Sequence, residues 1–106
     1  MAEWIYFLHP PRDNFAETMT GEEQEVWGVH FERLQRLLAE GVVALAGPTL
    51  GRVNTGIVIL EAPDEEAARK LMEEDPVVAG GYARAELRPF RISLLRGRDQ
   101  PLVKRP

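Results

Sequence analysis

A chain of 106 residues with a formal net charge of −4 and no cysteine is sized for one domain and excludes disulfides, a thiol nucleophile and a thiolate metal site. Its 44% hydrophobic and 28% charged residues are ordinary for a globular protein, and no apolar run nears the roughly 20 residues that span a bilayer, so no membrane partner is expected. The acidic balance argues against a nucleic-acid partner, which needs a concentrated basic face.

The first residues, Met1 to Pro11, carry no basic segment before their apolar stretch and no small-residue cleavage site. They read as a strand rather than a signal peptide, and the expected compartment is the cytoplasm. Glu3 to His9 is β-rich and stops at Pro10 and Pro11, which cannot donate ladder hydrogen bonds. A polar connection, Arg12 to Met19, leads to Thr20 and Glu23, spaced as a capping box. Trp27, Phe31, Leu34, Leu37 and Leu38 then follow helical periodicity, and Gly41 suits the C′ position that ends the helix. Val42 to Leu50 and Gly56 to Ala62 read as strands joined by a hairpin over residues 51–55. Asp64 is placed as N-cap of a second helix, with Ala67, Ala68, Leu71 and Met72 as its buried stripe. A glycine-containing connection, Val77 to Tyr82, leads to a last strand over Ala83 to Leu95, whose apolar positions change parity near Pro89 and predict a bulge there.

The order βαββαβ predicts an α+β, ferredoxin-like fold, with a four-stranded antiparallel sheet and two helices on one face. One domain is expected over residues 1–95, followed by a tail over 96–106 that is flexible or packed on a partner subunit. Ile5 to Leu8 and Ile57 to Leu60 are apolar at every position, where a sheet with one wet face would alternate. Two helices cover only one face, so a homodimer is expected to cover the other.

In this topology strand one, the hairpin and the end of the second helix meet at one edge of the domain. That edge collects His9, the loop from Arg12, Arg52 and Asn54, and the acidic terminus Glu73 to Asp75, and loops gathered on a rigid scaffold are a usual location for a site. His30 falls in the apolar stripe of the first helix, one turn after Trp27. Asp75 continues the stripe of Leu71 and Met72 if the second helix reaches it. Three acids at a helix C-terminus oppose its dipole, a conflict often found at functional sites. Were the two side chains to meet, the carboxylate would fix the imidazole's tautomer and raise its basicity, giving a general acid/base pair. The competing readings are a hydrogen-bonded core histidine, and Asp75 as N-cap of a further turn with Pro76 at its first position. His30 and Asp75 are the candidate catalytic residues, and His9, Arg12, Trp27 and Arg52 the candidate substrate contacts.

No cofactor or metal is expected, because two histidines without spaced partners do not make a ligand set. Gly47, Gly51 and Gly56 match neither a phosphate loop nor a dinucleotide fingerprint. Ser93 lacks a nucleophile-elbow context. The last strands carry no basic-aromatic run of the RNA-recognition type.

His30-Phe-Glu-Arg-Leu34, Gly41, Ala46-Gly47-Pro48, Asp75-Pro76 and Arg88-Pro-Phe90, in this order and spacing, resemble the YCII-related family over nearly the whole domain. The resemblance implies a dimeric α/β barrel of ferredoxin-like type, and it implies that His30 and Asp75 correspond to the histidine and aspartate regarded as that family's active-site pair. Some relatives carry a charged residue one turn before the histidine. Trp27 and Gly28 stand there in this chain, implying a more apolar pocket. The expected activity is proton transfer, elimination or isomerisation on a compact apolar or aromatic small molecule. The alternative is a non-catalytic homodimeric module, structural or binding a small ligand.

Overall fold

Strand β1 (Ala2–His9) is an inner strand of a four-stranded sheet, and the computed structural model describes residues 1–100. A one-turn helix α1 (Phe15–Thr18) and the long helix α2 (Gly21–Ala39) follow, then β2 (Val43–Pro48) and β3 (Gly56–Ala62). Helix α3 (Glu65–Glu73), the short α4 (Pro76–Ala79) and β4 (Arg84–Phe90) complete the order. The strands pair antiparallel in the order β2-β3-β1-β4, which makes the domain an α+β, ferredoxin-like fold.

The helix boundaries follow local chemistry. Thr20 accepts a hydrogen bond from the Glu23 N–H while the Glu23 carboxylate accepts from the Thr20 N–H, closing the capping box that starts α2. Past the end of α2, Gly41 adopts φ +80°, a conformation that side chains with a Cβ disfavour. Asp64 caps α3 through the Ala67 N–H. The core forms where Tyr6, Leu8, Val58, Leu60 and Ala62 meet Leu34 and Leu37 of α2, Ala68 and Met72 of α3 and Val77 of α4. Each fully buried Leu or Val there contributes about 1.5–3 kcal/mol.

Four expectations need correction. The last strand stops at Phe90, and its ladder with β1 runs in register to the Glu3–Phe90 pair, so there is no bulge at Pro89: the parity change starts with Phe90 on the helix-free face and continues past the end of the strand. The register irregularity lies instead on β2, between Val43 and Leu45. It leaves Val43 and Ala46 opposite the core residues Leu60 and Val58, and turns Leu45 to the other face opposite Ile59. The second helix ends before Asp75, which is the N-cap of α4 with Pro76 at its first turn. Phe31 and Leu38, expected in the buried stripe of α2, are 59% and 56% exposed, because they flank the packed line of His30, Leu34 and Leu37 rather than lie on it. Of the expected tail, residues 96–100 form turns, and 101–106 lie outside the described residues. Among the described residues no helix is long and apolar enough to cross a membrane.

Candidate functional site

Of the expected edge, the loop from Arg12, the start of α2 and the β2–β3 hairpin are bonded together, whereas His9 turns to Glu86 and Asp75 lies behind His30. Beneath the bonded segments lies a cavity of about 430 Å³ between α2, the one-turn α1 and the inner side of β2 and β3. His30 lines it together with Phe15, Met19, Trp27 and Ala46. The Trp27 ring meets the His30 ring edge-on at 4.9 Å, and Phe15 packs on Trp27 at 5.5 Å. The β2 bulge matters here: it directs a single methyl, Ala46, to the side that Leu45 would otherwise fill, and the room left beside His30 is the cavity.

Behind His30, away from the cavity, its Nδ1 lies 2.8 Å from both carboxylate oxygens of Asp75. Asp75 is wholly buried and His30 nearly so. Asp75 also accepts from the Tyr6 hydroxyl at 2.7 Å and from the Val77 N–H at 3.1 Å. Burial alone would raise the Asp75 pKa, but hydrogen bonds from His30, the charge of His30, and the Tyr6 and Val77 donors outweigh it and hold the carboxyl below its ordinary range. Tyr6 is pushed above the ordinary phenol range by burial and by Asp75, against an opposing influence from Arg33, so it remains a donor. An ionised carboxylate only accepts, so Nδ1 carries a proton towards Asp75, and whenever the ring is neutral its lone pair is on Nε2. That Nε2 has no protein partner among the described residues, on a ring that borders the cavity.

Residues 5–91 match the family model described as the YCII-related domain. The chain belongs to the YCII-related family. A search of curated proteins finds no match. Among solved structures the chain is similar to the 5-chloro-2-hydroxyhydroquinone dehydrochlorinase TftG from Burkholderia phenoliruptrix, in complex with 2,5-dihydroxybenzoquinone, at 20% identity and a TM-score of 0.63. That superposition covers 86% of this chain and 94% of the other, and at this identity the likeness is one of fold.

In this YCII-family domain the residues singled out from sequence part into two groups. His30 and Trp27 line the cavity, and Asp75 stands directly behind His30. His9, Arg12 and Arg52 are not among the lining residues. His9 sits on the opposite face of the sheet, 3.2 Å from Glu86 and stacked with Phe7. Arg12 grips Glu23 at 2.6 and 3.0 Å and lies over the Phe15 ring. Arg52 pairs with Asp13, and its carbonyl accepts from the Asn14 N–H at 2.7 Å. The two arginines thus fasten the α1 segment over the cavity instead of facing into it. Asn54 works alongside them, its Oδ1 accepting from the Ala16 N–H at 3.0 Å.

Tyr6, Phe15 and Met19 were missed by sequence reasoning. A signal existed for each. Phe15 and Met19 are apolar residues four apart in an otherwise polar connection, and Tyr6 shares the helix-facing parity of Trp4 and Leu8, where a buried hydroxyl needs a partner.

Proposed function

We propose that this YCII-family protein is a small-molecule enzyme in which His30 Nε2 takes or gives the proton that moves in the reaction, and Asp75 orients the ring. One observation carries this reading: a nearly buried imidazole, anchored at Nδ1 by a buried carboxylate, borders an apolar cavity with its other nitrogen unpartnered. A neutral His30 would accept a substrate proton at Nε2, and the adjacent Asp75 charge would stabilise the imidazolium that forms. In an elimination the leaving group would depart with its bonding electrons, after which His30 would return its proton to solvent. The cavity's size is that of small-molecule sites. The solved structure of similar fold is a dehydrochlorinase holding a dihydroxybenzoquinone, so elimination from a hydroxylated ring is the first reaction to test.

The test is chloride release from 5-chloro-2-hydroxyhydroquinone, then turnover of other small hydroxylated or enolisable compounds, by the wild type and by His30→Gln. The expected outcome is a loss of about a hundredfold or more in His30→Gln, the usual contribution of a general base. Undiminished turnover by folded His30→Gln would refute the proposal. The second reading, a non-catalytic module, has its own support in the Tyr6 and Val77 bonds that make Asp75 a structural hub. Strong destabilisation of both His30→Ala and His30→Gln, with ligand binding unchanged, would favour it.

A further inference from the structure

The cavity is long as well as apolar. Its α2 wall runs from Trp27 to Leu38, about 16 Å at the helical rise of 1.5 Å per residue. A lone aromatic ring would occupy only its His30 end. The two ends differ in chemistry: Phe15, Trp27 and His30 make an aromatic end with one proton acceptor, whereas Leu34, Leu38 and Val43 make an aliphatic one. Among the described residues, none that lines the cavity is Lys, Arg, Asp or Glu. The Asn54 amide is committed elsewhere, since Oδ1 accepts from Ala16 and Nδ2 donates to the Thr49 and Gly51 carbonyls. Among the described residues a carboxylate or phosphate would find no lysine or arginine on these walls, and burying an unpaired charge is costly.

From these walls we propose that the site takes a neutral, elongated molecule, with a flat hydroxyl- or enol-bearing head at His30 and an apolar tail along α2 towards Leu38 and Val43. This rests on reading His30 as the group that faces the reacting end, and it adds to that reading a second, tail-binding half of the site. The β2 bulge serves both halves, because Ala46 stands where a larger inward side chain would narrow the passage between them.

Calorimetric titration of the intact protein with phenol, 4-hexylphenol and 4-hexylbenzoate tests the proposal. Each buried methylene strengthens binding by about three- to fourfold, so 4-hexylphenol is expected to bind at least about fiftyfold more tightly than phenol. The carboxylate analogue should bind at least tenfold more weakly than 4-hexylphenol. Leu38→Gln, at a half-exposed position that leaves the core intact, should remove about tenfold of the gain for 4-hexylphenol and leave phenol unchanged. Ala46→Phe should abolish the gain altogether. His30→Gln should keep it, which separates tail recognition from proton transfer. Equal affinity for phenol and 4-hexylphenol, a gain that survives both Leu38→Gln and Ala46→Phe, or no binding of any probe would each overturn the proposal. So would tight binding of 4-hexylbenzoate. A wild type that shows the tail gain but no proton-transfer chemistry would support this inference and count against the catalytic reading alone.

Discussion

Asp75 serves two structural purposes with one carboxylate. Its Oδ1 caps α4 through the Val77 N–H, and both oxygens receive the His30 Nδ1–H, while Tyr6 adds a third donor. The two local readings that the sequence leaves open, N-cap and histidine partner, are therefore not exclusive. Pro76 starts a new turn, and that turn sets the carboxylate under α2. Asp75→Asn replaces an acceptor-only group by one that must point an amide N–H at a donor, and it removes the charge that His30 and Tyr6 bind. The expected cost is about 2–3 kcal/mol, the range for hydrogen bonds to a charged group, read from urea unfolding at neutral pH. The pH dependence has a definite sign. Because the folded-state pKa of Asp75 lies below its ordinary value of 3.8, its stabilisation is complete above that value and is lost as pH falls through the depressed one. Unfolding free energy of the wild type should therefore decline on acidification below about pH 4 more steeply than that of Asp75→Asn. Surface carboxylates such as Glu23, held at about 2 by the Arg12 guanidinium and the Thr20 N–H, act in both proteins, so the difference between the two curves isolates Asp75. Identical acid limbs would show that the carboxylate gains nothing from its donors.

At the scale of elements, the cavity depends on a segment whose sequence gives little sign of order. Residues 12–19 look like a polar linker, yet α1 is held as a roof by bonds reaching out to α2 and to the β2–β3 hairpin. Periodicity could not show this, because a four-residue helix has too few positions to display a period and its stability comes from distant partners. What the sequence does carry is the two longer helices, through the Thr20 box, Gly41 and the Asp64 cap, and the edge on which the loops converge. The inward turn of Ala46 was not legible, since a β-bulge leaves no alternation to read in a strand as short as Val43–Pro48. Asn54 is the test of the roof. Its side chain accepts from Ala16 and donates twice within the hairpin, so Asn54→Ala should cost about 1–2 kcal/mol. It should also raise amide hydrogen exchange at Ala16 and through the hairpin by tenfold or more, with α3 unchanged. Unaltered exchange at Ala16 would mean that Arg12 and the Asn14–Arg52 bond hold the roof without it.

For the molecule as a whole, the helix-free face of the sheet is the unfinished surface. Ile5, Phe7, Ile57 and Ile59 lie on it along β1 and β3, because their neighbours Trp4, Leu8, Val58 and Leu60 face the helices; Ile5 and Ile59 are each only 9% exposed within the chain, and Phe7 and Ile57 are half-buried. Leu45 and Phe90 extend the apolar area to both edge strands, 50% and 40% exposed. The double-sided apolar pattern of β1 and β3 is visible in sequence because an in-register strand translates parity directly into facing. The bulged β2 does not, and only the pairing of Leu45 with Ile59 reveals that it too contributes outward. Charged groups line the β4 side of this face, where Glu86 stands opposite Phe7 and Arg88 opposite Ile5 and Glu86 bonds both His9 and Arg88, so the uncharged strip runs from β1 across β3 to Leu45. A second copy of the same face would cover it in a self-complementary way, as a two-fold interface requires, and would leave the cavity on the helical side open. Sedimentation or light scattering at micromolar concentration should therefore give a mass near twice the 12.0 kDa chain. Phe7→Lys, which puts a charge at the middle of the face opposite Ile57 and Glu86, should shift it to a single chain while the His30 cavity still binds its ligand. A wild type that sediments as a monomer would remove the dimer. A Phe7→Lys monomer that loses ligand binding would show instead that the paired sheets hold the cavity in shape.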